Sequence, residues 1–278
     1  MDASQDVRLP QRHVVPAHLS VVVGLGLSGM AICRHLKREG RDFMVVDTRE
    51  APPGLDVFLA DFPGVPVRLG PLDGLVLDDA REVILSPGID PHQACFEAPA
   101  RRIDPDTGEP RLVGEIALFR RACRAPLAAI TGANAKSTVT TLVGEMAREA
   151  GRRVAVGGNL GTPALDLLVQ EPEADLFVLE LSSFQLETTP CLGADSAAFL
   201  NLSEDHLDRH GDMAGYRRAK LAIFRGARHA VVNAEDPLTW PDEALPALSR
   251  FGVTAPQSGD DWGVVEHQGE PWFFHADQ

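Results

Sequence analysis

The sequence predicts an α/β protein with two consecutive domains, each built around a parallel sheet, and three observations support this fold class. Apolar β-branched runs that end in glycine alternate with segments of helical spacing, as in open α/β sheets. A strand, a glycine-containing loop and a helix follow one another twice, first around Gly24 and again around Gly132. The length of 278 residues suits two domains of ordinary size. We therefore expect a mobile tail over residues 1–17, a first domain over 18–114 and a second over 115–278.

The first domain begins with the predicted strand LSVVVG, which starts at Leu19. The segment SGMAICRHLKREG follows with helical spacing and ends at a glycine. FMVVD, VPVRLG and EVILSPG are predicted as the next strands, because they are short, β-branched and closed by turn residues. Residues 96–110 are rich in proline and charge and are predicted as a surface loop, followed by the helix GEIALFRRACRA.

The second domain repeats this order. PLAAI predicts a strand, TGANAK a loop, and STVTTLVGEMAREAG a helix with Gly151 where a C-terminal cap would lie. RRVAVGGN, DLFVLELS, AAFLNLS and HAVVNAED are predicted as further strands. The end of the chain, from FGVTAP onward, has short alternating runs broken by DD and QGE, which indicates hairpins at a sheet edge.

Composition and charge exclude several classes of protein. Forty acidic residues against 26 basic ones give a net charge of -14, which excludes a general binder of nucleic-acid phosphates. No apolar stretch reaches the ~20 residues of a membrane span, and the N-terminus lacks the pattern of a signal peptide. We therefore expect a cytosolic monomer. The four cysteines form no CxxC pair and are interpreted as reduced packing residues: Cys33, Cys95, Cys123 and Cys191.

The first glycine loop has the spacing of a nucleotide site. Gly24, Gly26 and Gly29 lie between a strand and a helix, and Asp47 ends the next strand. Glycines allow a backbone to approach a phosphate, the helix start supplies N–H donors, and an acid at the second strand can bind a sugar hydroxyl. NAD, another nucleotide, and a tight turn without ligand all remain open. The sequence Ser-Pro-Gly at residues 86–88 is either a second wall of the crevice or a simple turn.

The second loop, TGANAKST at residues 131–138, is similar to a P-loop. In such loops backbone N–H groups and a lysine bind phosphates, and the next hydroxyl binds Mg²⁺. The general pattern is not met, because Ile130 and Ala135 occupy its two glycine positions. If position 135 requires positive φ, the alanine methyl group costs roughly 1 to 2 kcal/mol and weakens ATP binding. The alternative is a loop with an incidental lysine.

These two loops occur together with the motifs VVDTR, LSPGI, GGNLG, LELSSFQLE, NLSEDHLDRH and YRRAKLAIF. In this combination and order the sequence resembles the ATP-dependent Mur ligases of peptidoglycan synthesis, from about Leu19 to the last residue. It is most similar to the branch that joins D-glutamate to UDP-N-acetylmuramoyl-L-alanine. The resemblance implies a Rossmann-like UDP-binding domain followed by a P-loop ATPase-like central domain. It also implies a third domain that binds the amino acid, so we expect this chain to be truncated within its central domain.

The resemblance implies a role for each of the following residues. The UDP-substrate would be bound by Leu27, Ser28, Asp47, Thr48, Arg49, Ser86, Pro87, Gly88 and Asn159. ATP would be bound by Gly132, Asn134, Lys136, Ser137 and Thr138. Mg²⁺ would be bound by Ser137, Glu180, His206 and Lys220, the lysine after carbamylation by CO₂. Lys136, His206 and Lys220 are the catalytic candidates.

The implied activity is an ATP-dependent amide-bond-forming ligation through an acyl phosphate. Without the third domain we expect this chain to bind substrates but not to complete the ligation. Two alternatives compete with this interpretation. An NAD-dependent oxidoreductase would explain GLGLSG and Asp47 but not the lysine loop, and a noncatalytic nucleotide-binding relative would explain Ala135.

Overall fold

The computed structural model describes residues 13–276, and the chain divides into two compact units between Val113 and Gly114. This division lies one residue before the predicted domain boundary. The α/β fold class with parallel sheets is confirmed. In the described range, no helix has both the length and the apolar character that a bilayer crossing requires.

The first unit contains a five-stranded sheet of order β4-β3-β2-β6-β7 and a short pair of strands, β1 and β5. Its elements are β1 His13–Val14, β2 Ser20–Val23, α1 Leu27–Arg38, β3 Phe43–Asp47, α2 Leu55–Asp61, β4 Val67–Leu69, β5 Leu75–Val76, β6 Glu82–Leu85, α3 Glu97–Arg101 and β7 Leu112–Gly114. Strands β2, β3 and β6 are buried along their whole length, so their continuous apolar runs form the centre of a parallel sheet.

The structure differs from the sequence-based expectation at both ends of this unit. The predicted mobile tail ran to residue 17. Its part before residue 13 lies outside the described residues, but His13 and Val14 pair with β5 and the side chain of Val15 is buried. Residues 96–110 were predicted as a loop, yet they begin with α3, because burial of Phe96 and Pro99 orders this segment.

The second unit contains an eight-stranded sheet of order β15-β14-β13-β12-β11-β8-β10-β9. Its elements are α4 Glu115–Ala122, β8 Leu127–Thr131, α5 Lys136–Glu149, β9 Val154–Gly158, α6 Ala164–Gln170, β10 Leu176–Glu180, α7 Ser183–Glu187, β11 Ser196–Phe199, α8 Leu207–His210, α9 Met213–Leu221, β12 His229–Asn233, β13 Ala247–Phe251, β14 Trp262–His267 and β15 Glu270–His275. The strands β9, β10, β8, β11, β12, β13 and β14 pair in parallel with their neighbours in the sheet. Strands β14 and β15 pair antiparallel.

The strand register brings the ends of several strands to one edge of this sheet. Glu180, the last residue of β10, pairs with Ile130 of β8 on one side and with Gly158 of β9 on the other. The loops that follow β8, β9 and β10 therefore emerge side by side. In open α/β sheets this carboxyl edge is where ligands bind.

The predicted hairpin at the end of the chain is confirmed by the β14–β15 pair. Its turn contains Gln268 and Gly269, both at positive φ, as a two-residue hairpin turn requires. Trp262 stacks on Phe273 across the two strands, with ring centroids 5.1 Å apart. Phe273 nevertheless remains 69% exposed, so the hairpin presents aromatic surface to solvent.

An ion pair between the partly exposed Arg250 and the buried Asp261 joins β13 to the loop that precedes β14. The Asp261 carboxylate accepts hydrogen bonds from the Arg250 guanidinium at 2.6 and 3.0 Å and from the Ser258 N–H at 3.1 Å. Burial of Asp261 opposes ionisation, but the hydrogen bonds from Arg250 and Ser258 outweigh it and lower the pKa of Asp261 to about 2.

This pair predicts a pH-dependent contribution to stability. Because the pKa of folded Asp261 lies below its ordinary 3.8, the carboxylate stabilises the fold above about pH 4 and loses this effect as the pH falls towards 2. We expect Asp261→Asn to lower the free energy of unfolding at pH 7, and the difference from the unchanged chain to shrink between pH 4 and 2. Urea unfolding at several pH values measures this difference. The exposed neighbour Asp260, changed to Asn, is the control, and a pH-independent effect of Asp261→Asn would contradict the assignment.

Candidate functional site

The first unit contains an open cavity of about 500 Å³ at the carboxyl ends of β2, β3 and β6. All the residues of this unit that the sequence assigns to the UDP-substrate line this cavity, together with three others. The lining residues are Gly24, Gly26, Leu27, Ser28, Asp47, Thr48, Arg49, Ser86, Pro87, Gly88 and Ile89. The remaining candidate, Asn159, belongs to the second unit.

Glycines shape the turn beneath this cavity. Gly24 has a φ of 95°, which side chains rarely allow, and a Cβ atom on Gly29 would overlap the Gly24 carbonyl oxygen. The hydroxyl of Ser86 donates to that same carbonyl oxygen at 2.8 Å. The segment after β6 is therefore fixed to the glycine turn, and the start of α1 stays open to a ligand.

Asp47 anchors an arginine beside the cavity. Its carboxylate accepts the Leu25 N–H at 2.6 Å and three hydrogen bonds from Arg49, two of them from the guanidinium at 2.7 and 2.8 Å. Burial of Asp47 opposes its ionisation, but the bonds from Arg49 and Leu25 prevail and lower its pKa. Asp47 is thus occupied within the protein, and the half-exposed Arg49 is the group that offers a positive charge to a ligand.

The second unit carries the loop TGANAKST, residues 131–138, between β8 and α5; it is called the lysine loop here after Lys136. Ala135 precedes the helix at a φ of 62° and a ψ of 5°, so the position requires the left-handed conformation that glycine usually supplies. The first turn of α5 leaves the N–H groups of Lys136, Ser137 and Thr138 without acceptors inside the helix. The Lys136 ammonium donates to the Ala133 carbonyl oxygen at 3.0 Å. This arrangement is suited to binding a phosphate group.

Glu180 lies beside this loop and binds two of the predicted site residues. Its side chain is almost fully buried, and its two oxygens accept hydrogen bonds from the Ser137 hydroxyl and the Asn159 amide, each at 2.7 Å. The Asn159 N–H also donates to the Glu180 carbonyl oxygen. Gly158 permits this approach, because a Cβ atom there would lie 2.5 Å from that carbonyl oxygen.

Lys220 lies under the lysine loop. Its ammonium donates to the Gly132 carbonyl oxygen at 2.7 Å and to the Thr131 hydroxyl at 3.4 Å. Burial, followed by repulsion from Lys136, lowers the pKa of Lys220 to about 7. A fully buried lysine without a carboxylate hydrogen-bonded to it is unusual in a stable core, and this supports a functional interpretation.

His206 and Lys220 contact the same aromatic ring. The Lys220 Nζ lies 4.8 Å from the centre of the Tyr216 ring, and the His206 ring lies 6.1 Å from it. His206 also packs on Phe184 and has a φ of 51° just before α8. Its side chain is partly exposed, and its backbone conformation directs the chain into α8.

Sequence reasoning missed two residues that organise these loops. Tyr216 stands within the quoted motif YRRAKLAIF but received no role. Asn201, within NLSEDHLDRH, accepts the Asn134 N–H through its side chain at 2.8 Å. Asn134, predicted to contact ATP, is therefore bound to Asn201 through its backbone and to Ser203 through its amide. For Asn201 the available signal was a polar residue two positions after the end of β11, at the carboxyl edge of the sheet.

The oxygen atoms that Ser137 and Glu180 could offer as metal ligands suit a magnesium ion better than a transition metal. Ser137 and Glu180 provide a hydroxyl and a carboxylate oxygen 2.7 Å apart, and oxygen donors are what Mg²⁺ prefers. Between residues 13 and 276 no group of three or more His, Cys, Asp and Glu side chains is arranged to hold a metal ion. The four predicted ligands thus form two pairs, Ser137 with Glu180, and His206 with Lys220 around Tyr216.

Two family models match this chain. The model of the Mur ligase MurD-like N-terminal domain matches residues 18–103, and the model of the Mur ligase middle domain matches residues 130–266. Together they cover most of both units.

Relatives of known function are similar over nearly the whole chain. The UDP-N-acetylmuramoylalanine–D-glutamate ligase of Chromohalobacter salexigens is 65% identical over 258 residues, which are 93% of this chain and 56% of the relative. The enzyme of the same name from Pseudomonas aeruginosa is 52% identical, over 92% of this chain and 55% of the relative. The chain thus spans little more than half the length of these relatives.

Solved structures of ligases share the fold. The UDP-N-acetylmuramate:L-alanyl-gamma-D-glutamyl-meso-diaminopimelate ligase from Neisseria meningitides aligns with a TM-score of 0.52 and 17% identity, over 92% of this chain and 83% of that one. A murein peptide ligase from Psychrobacter arcticus aligns with a TM-score of 0.50 and 15% identity, over 94% of this chain and 59% of that one. At these identities the alignments support the architecture alone.

The conformation of Ala135 predicts a stabilising substitution. Because the residue has a φ of 62°, Ala135→Gly removes backbone strain, and we expect the free energy of unfolding to rise by about 1 kcal/mol. Urea unfolding measures the change. Ala150→Gly is the matched control, since this exposed alanine near the other end of α5 has a φ of -78° and should lose stability on substitution. A loss of stability in Ala135→Gly as well would show that strain at this position is negligible.

Proposed function

Because the chain belongs to the Mur ligase family, we propose that it forms the UDP-substrate unit and the ATP unit of a ligase that joins D-glutamate to UDP-N-acetylmuramoyl-L-alanine. The observation that carries the proposal is the cluster at the carboxyl edge of the second sheet. There Lys136, the Ser137–Glu180 pair and the buried Lys220 surround the start of α5. The names of the two relatives support the choice of substrates.

The reaction proceeds in two steps under this proposal. A carboxylate oxygen of UDP-N-acetylmuramoyl-L-alanine attacks the γ-phosphorus of ATP, an acyl phosphate forms and ADP leaves. The D-glutamate amine then attacks the acyl carbon, loses a proton and expels inorganic phosphate. The N–H groups at the start of α5 and the Lys136 ammonium bind the phosphate oxygens on which charge builds, and such electrostatic stabilisation is the main source of rate in phosphoryl transfer. No residue of the chain needs to form a covalent bond with substrate.

Ser137 and Glu180 are the residues that would bind Mg²⁺ next to the phosphates, with His206 and a carbamylated Lys220 as the second pair. When bound, the ion supplies neutralisation of phosphate charge. Asn159 orients the Glu180 carboxylate through its amide. The buried amine of Lys220 is the group that would react with CO₂, forming an N–C bond and releasing one proton.

The first unit would hold the UDP part of the substrate. Its cavity offers the exposed start of α1, the half-exposed Arg49 guanidinium and the turn at Ser86 to Gly88. An NAD-dependent dehydrogenase would need the acid at the second strand for a ribose hydroxyl. Here the Asp47 carboxylate already accepts hydrogen bonds from Arg49 and Leu25, which favours a ligand that interacts with Arg49.

A second candidate function is nucleotide binding without catalysis. The positive φ of Ala135 favours it, because a strained residue at the start of the phosphate loop lowers the population of the binding conformation. With the family's third domain supplied, phosphate release from ATP in the presence of UDP-N-acetylmuramoyl-L-alanine, D-glutamate, Mg²⁺ and bicarbonate separates the two candidates. Turnover above that of a Lys136→Ala chain supports the ligase.

The cavity of the first unit predicts a preference for UDP over NAD. We expect calorimetry on the 278-residue chain to show tighter binding of UDP than of NAD. Arg49→Gln should weaken UDP binding about tenfold, as expected for loss of a charge-assisted hydrogen bond. Arg81→Gln, an exposed arginine of the same unit that does not line the cavity, is the control. Tighter binding of NAD, or equal effects of both substitutions, would contradict the assignment.

The lysine loop predicts a specific loss of ATP binding. Lys136→Ala removes a charge-assisted phosphate contact worth about 1.5 to 3 kcal/mol and should raise the Kd for ATP at least about tenfold. Arg152→Ala removes one positive charge from an exposed position just after α5 and should leave the Kd unchanged. Titration calorimetry with Mg²⁺ and ATP provides the values. If both variants bind ATP as the unchanged chain does, residues 131–138 are not a phosphate-binding loop.

A further inference from the structure

We propose that Asn201 is a positioning residue that holds the lysine loop in its phosphate-binding conformation against the backbone strain at Ala135. The inference rests on the proposed ATP-binding role of this loop. It assigns a function to a residue of the β11–α8 connection that is not itself expected to touch the nucleotide.

Asn201 contacts the loop at three points. Its carbonyl oxygen accepts the Ala133 N–H at 3.0 Å, and its side-chain oxygen accepts the Asn134 N–H at 2.8 Å. Its side-chain amide donates to the Asn134 carbonyl oxygen at 3.2 Å. One residue thus binds both backbone groups of Asn134 and one of Ala133, as a neighbouring strand would.

The third contact fixes the direction of an N–H group that a phosphate could bind. The carbonyl of Asn134 and the N–H of Ala135 belong to the same planar trans peptide unit, in which they point in opposite directions. Since Asn201 holds the carbonyl oxygen, the Ala135 N–H is directed away from Asn201. The same contact prevents this peptide from rotating, and rotation is how the loop would bring Ala135 to a negative φ.

Asn201 is itself held by its neighbours' contacts with the end of β8 and with Asp236. The preceding Leu200 N–H donates to the Thr131 carbonyl oxygen, and the following Leu202 N–H donates to the Asp236 carboxylate, both at 2.9 Å. Asn201 therefore has a fixed position from which to restrain a strained neighbour. The same connection continues to His206, a proposed metal ligand. The contacts of Asn201 therefore also link the lysine loop to the segment that contains His206.

The contacts of Asn201 predict that its importance depends on the residue at position 135. In the unchanged chain, Asn201→Ala removes two side-chain hydrogen bonds and frees the loop to relax, so the Kd for ATP should rise about tenfold. Combined with Ala135→Gly, the same substitution should raise the Kd by about threefold or less, because glycine reaches positive φ without strain. A residue that only supported folding would lower stability without this dependence on position 135.

The test is a double-mutant cycle with Asn201→Ala and Ala135→Gly, followed by ATP calorimetry and, separately, by urea unfolding without nucleotide. Ser203→Ala is the control, because it removes the hydrogen bond between the Asn134 side chain and Ser203 but leaves the contacts of Asn201 with the Asn134 backbone intact. It should change the Kd less than about twofold, below the value of one net hydrogen bond. Asn201→Asp, which keeps the acceptor for the Asn134 N–H and loses the donor, replaces Asn201→Ala if that chain does not fold, and should show the same dependence on position 135.

Additive effects in the unfolding cycle, or an effect of Asn201→Ala on ATP binding that is equal in both backgrounds, would overturn the role of Asn201. The unfolding cycle requires no ligand, so it tests this inference even if the unchanged chain fails to bind ATP. Such a failure would instead contradict the proposed function.

Discussion

The arrangement of the loops at the carboxyl edge of the second sheet depends on one buried carboxylate. Glu180 is the last residue of β10, which lies between β8 and β9. Its carboxylate accepts hydrogen bonds from Ser137 at the start of α5 and from Asn159 after β9. Three loops that are far apart in the sequence are therefore fixed relative to one another at a single side chain. A buried carboxylate is costly unless its oxygens are satisfied, so the donors and the acid must be present together. The glycine at position 158, which lets the β9 loop approach, is part of the same constraint.

The strand-to-helix loops that follow β2 and β8 share one backbone feature but use different residues for it. Each loop leads from a strand into a helix, and each contains a residue at positive φ. In the first unit this residue is Gly24, and the turn is held by hydrogen bonds from the Gly24 N–H to Val46, from the Leu25 N–H to Asp47 and from the Ser86 hydroxyl to the Gly24 carbonyl oxygen. In the second unit Ala135 adopts that conformation despite its methyl group, and the loop is secured by the three contacts of Asn201.

The sequence predicted the sheets and both loops, because apolar runs and glycine turns are local signals. The residues that line the first cavity were also predicted to act together, because they belong to the recognisable motifs GLGLSG, VVDTR and LSPGI. The roles of Asp47 and Asn201 could not be predicted, because they depend on which partner each side chain reaches. Asp47 lines the cavity as expected, but its hydrogen bonds with Arg49 and Leu25 were not predicted, and Asn201 lies 67 residues from its partner Asn134. The strand at His13 was missed because its partner, Leu75, is also distant in sequence.

The last strand, β15, has a consequence for the behaviour of the chain at high concentration. The Gly252 N–H donates to the Trp262 carbonyl oxygen and the Ala276 N–H to the Asp261 carbonyl oxygen, so Pro271, Phe273 and His275 direct their backbone groups away from β14. These outward-facing backbone groups form a template on which a strand of another chain can pair. The exposed aromatic side chains of β15 favour that contact. Pro271 removes one donor from that template. We expect this missing donor and the mutual repulsion between chains of net charge -14 to disfavour such association.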